Sequence, residues 1–149
     1  ADNMAKELWS LVTATNPDVI VIEETNGSKA RYTQKILEFI HCSFLTQAYS
    51  PGKSPPKIVY ISTSTWRRNL GLTLSKEDKK NNAKVNRAKY AGKSKKELGL
   101  KGKITPKHLA VAYVNERFGL KLKVKDNDRA DAICQGLAFL NGAETCNGE

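Results

Sequence analysis

Residues 16–24, Asn-Pro-Asp-Val-Ile-Val-Ile-Glu-Glu, decide the fold of this chain. Asn16-Pro17-Asp18 ends a helical pattern that covers residues 5–15. Val19 to Ile22 is a continuous β-branched run, which is typical of a strand covered on both faces. The run ends on Glu23, and the carboxyl ends of strands are where α/β sheets place their sites. The stretch therefore predicts a buried strand that carries a carboxylate at its end.

The remaining periodicity predicts one more buried strand, at Ile58–Ile61, and several helices. We expect helices over residues 28–42, through Trp66 to Arg68, from Thr105-Pro106 to Gly119, and over residues 127–140. Residues 120–125 alternate apolar and basic side chains and predict an extended connection or a short strand. Strands that alternate with helices indicate the α/β class, in which two strands make an unusually small sheet.

Composition favours one soluble domain over residues 1–149. The chain is 40% hydrophobic, contains five prolines, and has no apolar run near the ~20 residues of a membrane span. No basic segment followed by an apolar stretch opens it, so no signal peptide is predicted. Cys42, Cys134 and Cys146 lack C-x-x-C spacing, which favours reduced thiols over a zinc site. We therefore expect a cytoplasmic protein.

The positive charge is concentrated in one part of the chain. Residues 57–125 hold 19 Lys/Arg and four Asp/Glu, a net of +15, whereas the remaining residues have a net charge of −5. Such segregation is typical of a protein that lays nucleic acid along one surface beside an acidic centre. The alternative is a solvated basic face without a partner.

Residues 75–103 form a basic insertion with eleven Lys/Arg, three acids and few apolar residues. This composition predicts a segment that cannot pack a core and is either mobile or ordered by its ligand. We expect its cations to bind DNA phosphates, namely Lys79, Lys80, Lys84, Arg87, Lys89, Lys93, Lys95, Lys96, Lys101 and Lys103.

Three carboxylates are candidate metal ligands. Asp128 and Asp131 are three residues apart, which places them on one face of the first turn of a helix. Together with Glu23 they make an oxygen-only set that suits Mg²⁺ or Mn²⁺, and two such ions catalyse phosphodiester hydrolysis. The alternative is structural, because acids are also common at helix N-termini and strand ends.

Lys107 lies in the first turn of the helix that Thr105-Pro106 opens, where it could contact the scissile phosphate. The alternative is a solvent-facing lysine. His108 is expected to be a surface residue, and His41 a structural histidine on an apolar helix.

The order of these motifs resembles that of the RuvC-type Holliday junction resolvases, within the RNase H-like, retroviral-integrase superfamily. The matching stretches are residues 16–23, the helix to Cys42, Ile58–Ile61, Thr65-Trp-Arg-Arg68, Thr105-Pro-Lys107-His and Asp128-Arg-Ala-Asp131-Ala. The resemblance covers most of the chain except residues 75–103, and the length of that insertion is closer to the phage branch.

The resemblance implies an RNase H-like three-layer fold, a mixed sheet flanked by helices. It also implies a homodimer that nicks four-way DNA junctions on two strands of like polarity with Mg²⁺ or Mn²⁺ and four acids. Glu23 matches the second acid, Asp128 and Asp131 match the final pair, and Lys107 matches a functional basic residue. Arg67 or Arg68 matches a further basic position and is expected to bind DNA.

The sequence departs from the family at its N-terminus, where the hairpin strands that carry the first acid are absent. We therefore expect the chain to be a fragment or one part of a split reading frame, with the first acid encoded upstream of Ala1. Two alternative functions stay open, namely another RNase H-like nuclease and a non-catalytic basic nucleic-acid-binding protein.

Overall fold

The computed structural model describes residues 2–24, 31–49, 56–92, 94, 96 and 98–143. The described helices are α1 (Asp2–Thr15), α2 (Arg31–Ala48), α3 (Thr63–Asn69), α4 (Lys76–Tyr90), α5 (Pro106–Phe118) and α6 (Asn127–Leu140). The strands are β1 (Val19–Glu23) and β2 (Lys57–Ile61), and a 3-10 helix covers Val124–Asp126. Within these residues no helix is both long enough and apolar enough to cross a membrane.

The chain divides into two compact units. Unit 1 contains residues 1–63 and unit 2 contains residues 64–143, so the division falls in the first turn of α3. The mixed α/β class that the sequence predicts is confirmed, with both strands in unit 1 and most of the helical residues in unit 2. The prediction of one domain over residues 1–149 stays a prediction.

Unit 1 is built on a parallel pair of strands. β1 and β2 lie in register from Val19 opposite Lys57 to Glu23 opposite Ile61. Parallel strands need a crossover connection, and α2 supplies it between them. Every residue of β1 keeps partial solvent access, although the run Val19–Ile22 is apolar throughout. A parallel sheet is normally covered on both faces, so the described part of unit 1 leaves β1 less covered than its composition predicts.

Helix α1 packs on α2 through the side that carries Ala5 and Trp9, and not through the side that the apolar spacing predicts. Ala5 is fully buried, and the Trp9 ring meets the Phe44 ring edge-on at 5.9 Å. Leu8 and Leu11, which the periodicity predicts as the buried side, are 42% and 63% exposed. Spacing alone could not choose between the two faces, because Leu8 and Trp9 are neighbours and both are apolar.

Unit 2 is organised around α5 and α6, which pack against each other. Ala110, Val111 and Val114 are the buried residues of α5, and Ala130, Cys134 and Ala138 are the small buried side chains of α6. The spacing of the apolar residues predicts Leu109, Ala112, Tyr113 and Phe118 as the buried side of α5. Leu109 and Tyr113 are half-buried, whereas Ala112 and Phe118 are exposed, so the prediction is wrong for these last two. Residues 109–114 are all apolar, so periodicity does not define a single face there.

The prediction that residues 75–103 cannot pack is wrong for residues 76–90, which form α4. Ser75 caps this helix, since its hydroxyl accepts from the Asp78 N–H at 3.0 Å while its own N–H donates to the Asp78 carboxylate at 3.2 Å. Val85 and Ala88 are buried, and the buried Asn82 side chain both accepts from the N–H and donates to the carbonyl of Ile104. The capping box, the two buried apolar residues and the Asn82 contacts to Ile104 together order this highly charged segment.

The connection between α5 and α6 is not a strand. Residues 119–123 have no regular structure, and the 3-10 helix follows at Val124–Asp126. Asn115 holds this connection, since its side-chain amide accepts from the Leu122 N–H at 2.8 Å and donates to the Leu122 carbonyl at 2.9 Å. The Asn115 amide thus makes the hydrogen bonds to the Leu122 backbone that a neighbouring strand would make if residues 120–125 formed a strand.

Candidate functional site

Glu23 ends β1 in unit 1, as the sequence predicts, and its carboxylate accepts a hydrogen bond from the Thr63 hydroxyl. Thr63 is the first residue of α3 and directly follows the residue after β2. Because β1 and β2 are parallel, their carboxyl ends meet at one edge of the sheet, which brings Glu23 and Thr63 together. The hydroxyl holds the carboxylate in one orientation.

An apolar groove of about 1100 Å³ lies beside Glu23 in unit 1. Its walls come from α1, β1 and α2, and include the half-exposed Leu8, Leu11 and Leu37. Glu23 and Thr63 also line it, so the carboxylate stands at the wall of a mainly apolar space.

His41 and Tyr60 form a polar pair in the same groove. The Tyr60 hydroxyl and His41 Nε2 are 2.8 Å apart, and the two rings meet edge-on at 5.4 Å. Burial, followed by the nearby Tyr49 and Cys42, raises the pKa of Tyr60 above its usual range. His41 thus has the hydrogen-bond partner expected of a structural histidine, and its structural role stays a prediction.

The acid pair lies in unit 2, at the start of α6. Asp128 is exposed, whereas the Asp131 side chain is 16% exposed. Asn127 is 8% exposed, and its side-chain oxygen has no hydrogen-bond partner among the described residues. The first turns of α6 thus offer three oxygen-donor side chains, of which the Asn127 amide was not predicted.

Arg67 is an ion-pair partner of Asp131. Its guanidinium Nη2 lies 3.6 Å from Asp131 Oδ2, and its central carbon lies 4.7 Å from the centre of the Trp66 ring, which is fully buried. Burial, and after it the Asp131 carboxylate, raises the pKa of Cys134 to about 11, while Arg67 acts in the opposite direction. Arg67 thus forms an ion pair with one of the predicted metal ligands, and its predicted role in DNA binding stays a prediction.

Lys107 is exposed in the first turn of α5, as the sequence predicts. It precedes the buried Ala110, Val111 and Val114 by three, four and seven residues. Lys107 therefore lies on the same side of α5 as these residues, at the N-terminal end of the helix. His108 has a local role, because its Nδ1 accepts from the Thr105 N–H at 3.2 Å. The imidazole therefore caps α5 in place of the carboxylate that often occupies this position.

Five cations form a basic stripe along α4. They are all exposed and recur at helical spacing on the side opposite the buried Asn82, Val85 and Ala88. We define the basic stripe as Lys76, Lys79, Lys80, Lys84 and Arg87. At ~1.5 Å per residue these eleven steps span about 16 Å, which matches roughly five phosphates of one strand.

The other predicted DNA contacts are dispersed. Lys89 is exposed off the basic stripe, Arg68 is exposed in the last turn of α3, and Lys96, Lys101 and Lys103 are exposed on the segment after α4. Lys93 and Lys95 lie outside the described residues. Asn81 links α4 to this segment, since its amide lies 3.3 Å from the Gly102 carbonyl.

Among the described residues, no group of three or more His, Cys, Asp or Glu side chains is placed to hold a metal ion. The donor chemistry nevertheless fits Mg²⁺ at the start of α6, because Asp128, Asp131 and the buried Asn127 oxygen are hard ligands close together in sequence. The inclusion of Glu23 in the same metal site stays a prediction, as does the role of Lys107.

Sequence reasoning missed Thr63, Asn127 and Lys76. Thr63 is forty residues from Glu23, so no local pattern links them. Asn127 was predicted only as the first residue of a helix. Its position beside Asp128 and four residues before Asp131 could have identified its amide oxygen as a further candidate metal ligand. Lys76 could have been included from its helical spacing to Lys80 and Arg87.

Comparison of this chain with protein-family models, with curated proteins and with solved structures finds no significant match.

Proposed function

We propose that this protein is a divalent-metal-dependent DNA endonuclease that acts on four-way junctions, with an RNase H-like architecture. The observation that carries the proposal is the oxygen-donor set of Asn127, Asp128 and Asp131 in the same unit as the basic stripe. The order of motifs along the sequence supports the resolvase class over a general nuclease. The basic stripe supports a phosphate-backbone substrate.

Each residue has a defined role in the proposed chemistry. Asp128 and Asp131 would hold Mg²⁺ or Mn²⁺, and such an ion would supply an activated water and charge stabilisation at the leaving oxygen. Asn127 would offer a neutral oxygen on the same turns. Glu23, oriented by Thr63, is the further acid that the sequence predicts, and its membership of this metal site stays a prediction. Lys107 contacts the scissile phosphate, and the basic stripe holds the DNA arm.

The ion pair between Arg67 and Asp131 is compatible with a metal site in which a divalent cation displaces the arginine from the carboxylate. A distance of 3.6 Å is long for a charge-assisted hydrogen bond, so the contact is mainly electrostatic. A divalent cation at Asp131 would replace the guanidinium as the neutralising charge, and Arg67 would then be available to DNA.

Cleavage of a synthetic four-way junction tests the proposal. The junction, a linear duplex of the same sequence and an RNA–DNA hybrid are incubated with the protein in Mg²⁺, in Mn²⁺ and in chelator. We expect nicks in the junction alone and only with the metals. Asp128→Asn and Glu23→Gln should abolish nicking and leave junction binding intact.

Two neutralised acids serve as matched controls, because each removes one negative charge from the same unit as its test variant. Glu24→Gln changes an exposed neighbour of Glu23, and Glu116→Gln changes an exposed acid on α5. Both controls should cleave at the wild-type rate. Cleavage of the hybrid in preference to the junction would instead identify another RNase H-like nuclease.

A non-catalytic nucleic-acid-binding protein is the second candidate. The Arg67–Asp131 ion pair favours it, because a carboxylate neutralised by arginine needs no metal. Retained DNA binding without nicking in any divalent ion would establish this function.

We further propose a homodimer that forms through α2. Phe39 is 67% exposed and Ile36 is 42% exposed, and because they are three residues apart they lie on the same side of the helix and form an apolar patch. Phe39→Glu should convert the dimer to a monomer in light scattering, whereas Glu38→Gln, a change at the neighbouring exposed position, should not.

A further inference from the structure

Tyr90 is the most exposed large side chain with apolar character among the described residues. It is the last residue of α4, and 91% of its surface is accessible. No hydrogen bond or ring contact joins its side chain to another described residue. An aromatic ring of this size normally gains stability by burial, so its full exposure requires an explanation outside the packing of unit 2.

The position of Tyr90 on α4 relates it to the basic stripe. It follows Arg87 by three residues and Lys79 by eleven, and both spacings return to the same side of a helix. The buried Val85 and Ala88 lie on the other side. The ring therefore extends the cationic face at its C-terminal end.

Cations next to an exposed aromatic ring match the composition of single-stranded nucleic-acid sites. In such sites cations follow the phosphates, and aromatic side chains stack on the bases. Paired bases in a duplex already stack on each other, so their faces are not accessible to a side chain. The ring of Tyr90 can be covered by a base only where that base is unpaired.

We infer that α4 binds single-stranded nucleic acid, with the basic stripe on the backbone and Tyr90 stacked on an unpaired base. This inference rests on the proposed function and specifies its substrate, namely DNA with unpaired bases at or near the branch. Base–aromatic stacking contributes enough that Tyr90→Ala should weaken single-strand binding by roughly 5- to 100-fold.

Fluorescence anisotropy with three labelled ligands tests the inference. The ligands are a thymidine oligomer of about 12 nucleotides, within the usual range of site sizes, the same oligomer with abasic sites, and a blunt duplex. Tyr90→Ala should weaken binding to the thymidine oligomer only, and Tyr90→Phe should bind like the wild type because it keeps the ring. Tyr49→Ala, which removes another well-exposed tyrosine, is the matched control and should have no effect.

Each result is decisive. Equal affinity of Tyr90→Ala and wild type for the thymidine oligomer overturns the stacking role, as does an equal loss on the abasic oligomer or the duplex. If the wild type binds none of the three ligands, the inference about α4 fails, and the proposed function fails as well only if a labelled four-way junction is also not bound. If it binds all three and Tyr90→Ala is unaffected, only the stacking inference fails. Because the Tyr90 side chain is 91% exposed, its replacement should leave the urea unfolding curve unchanged.

Discussion

Neutralising the basic stripe should reduce the salt dependence of DNA binding in proportion to the number of phosphate contacts that are lost. Changing Lys76, Lys79, Lys80, Lys84 and Arg87 to Gln removes five positive charges from one face of α4. Each phosphate neutralised on duplex DNA contributes about 0.9 to the slope of log K against log salt. Five such contacts therefore predict that the slope falls by about 4.5.

The assay is a titration of fluorescent duplex against protein at several salt concentrations. A control with the same loss of charge carries five exposed cations from elsewhere changed to Gln, namely Lys6, Lys35, Lys57, Lys121 and Lys125. Both variants go from a net charge of +10 to +5, so a difference between them reports position and not total charge.

The expected result is a large loss of slope in the stripe variant and a small one in the control. Equal slopes in the two variants would refute the reasoning, since binding would then depend on net charge alone. A loss below about 1, the value of a single phosphate contact, would show that α4 is a solvated helix.

Three further predictions concern the packing and chemistry of unit 2. Asn82→Ala should lower the free energy of unfolding by about 2 kcal/mol in urea titrations, because it removes both hydrogen bonds to Ile104 and leaves the half-buried backbone N–H and carbonyl of that residue without partners. Cys134, with a pKa of about 11, should react with iodoacetamide at pH 8 far more slowly than an exposed thiol, and its rate should rise as pH approaches 11, as followed by peptide mass spectrometry. Arg67→Gln should tighten Mn²⁺ binding about fivefold in calorimetry, because it removes the cation that competes for Asp131.

Each of these predictions has an internal control. Asn86→Ala changes an exposed asparagine of α4 and should leave the unfolding curve unchanged within ~0.5 kcal/mol. The exposed Cys42 supplies the reference for labelling, and equal rates at Cys42 and Cys134 would contradict the burial argument. Arg68→Gln removes the adjacent exposed arginine, so tighter Mn²⁺ binding there would mean that total charge, and not the ion pair, sets the affinity.

The strands could be predicted because they are short apolar runs with clear boundaries. Both β1 and β2 form where the β-branched runs lie, and Glu23 ends β1 as expected. The start of α5 was also predictable, since Thr105-Pro106 is a local signal that needs no tertiary contact. These features depend on neighbouring residues alone.

Features that depend on distant partners were missed. Helix α4 is ordered in part by the Asn82 contact to Ile104, twenty-two residues away, and average composition does not reveal such a contact. The buried side of α5 depends on its packing against α6, because its apolar residues surround the helix. For the candidate site, the acids were identified by type and spacing, whereas the Arg67–Asp131 ion pair joins residues sixty-four positions apart and could not be read from either motif.

Mapping the nicks in a four-way junction at nucleotide resolution tests the central claim most directly. In Mg²⁺ the protein should place two nicks, symmetrically related, on strands of like polarity, and Asp131→Asn should place none while it still binds the junction. Intact strands in both Mg²⁺ and Mn²⁺, or equal cutting of a linear duplex, would contradict the account.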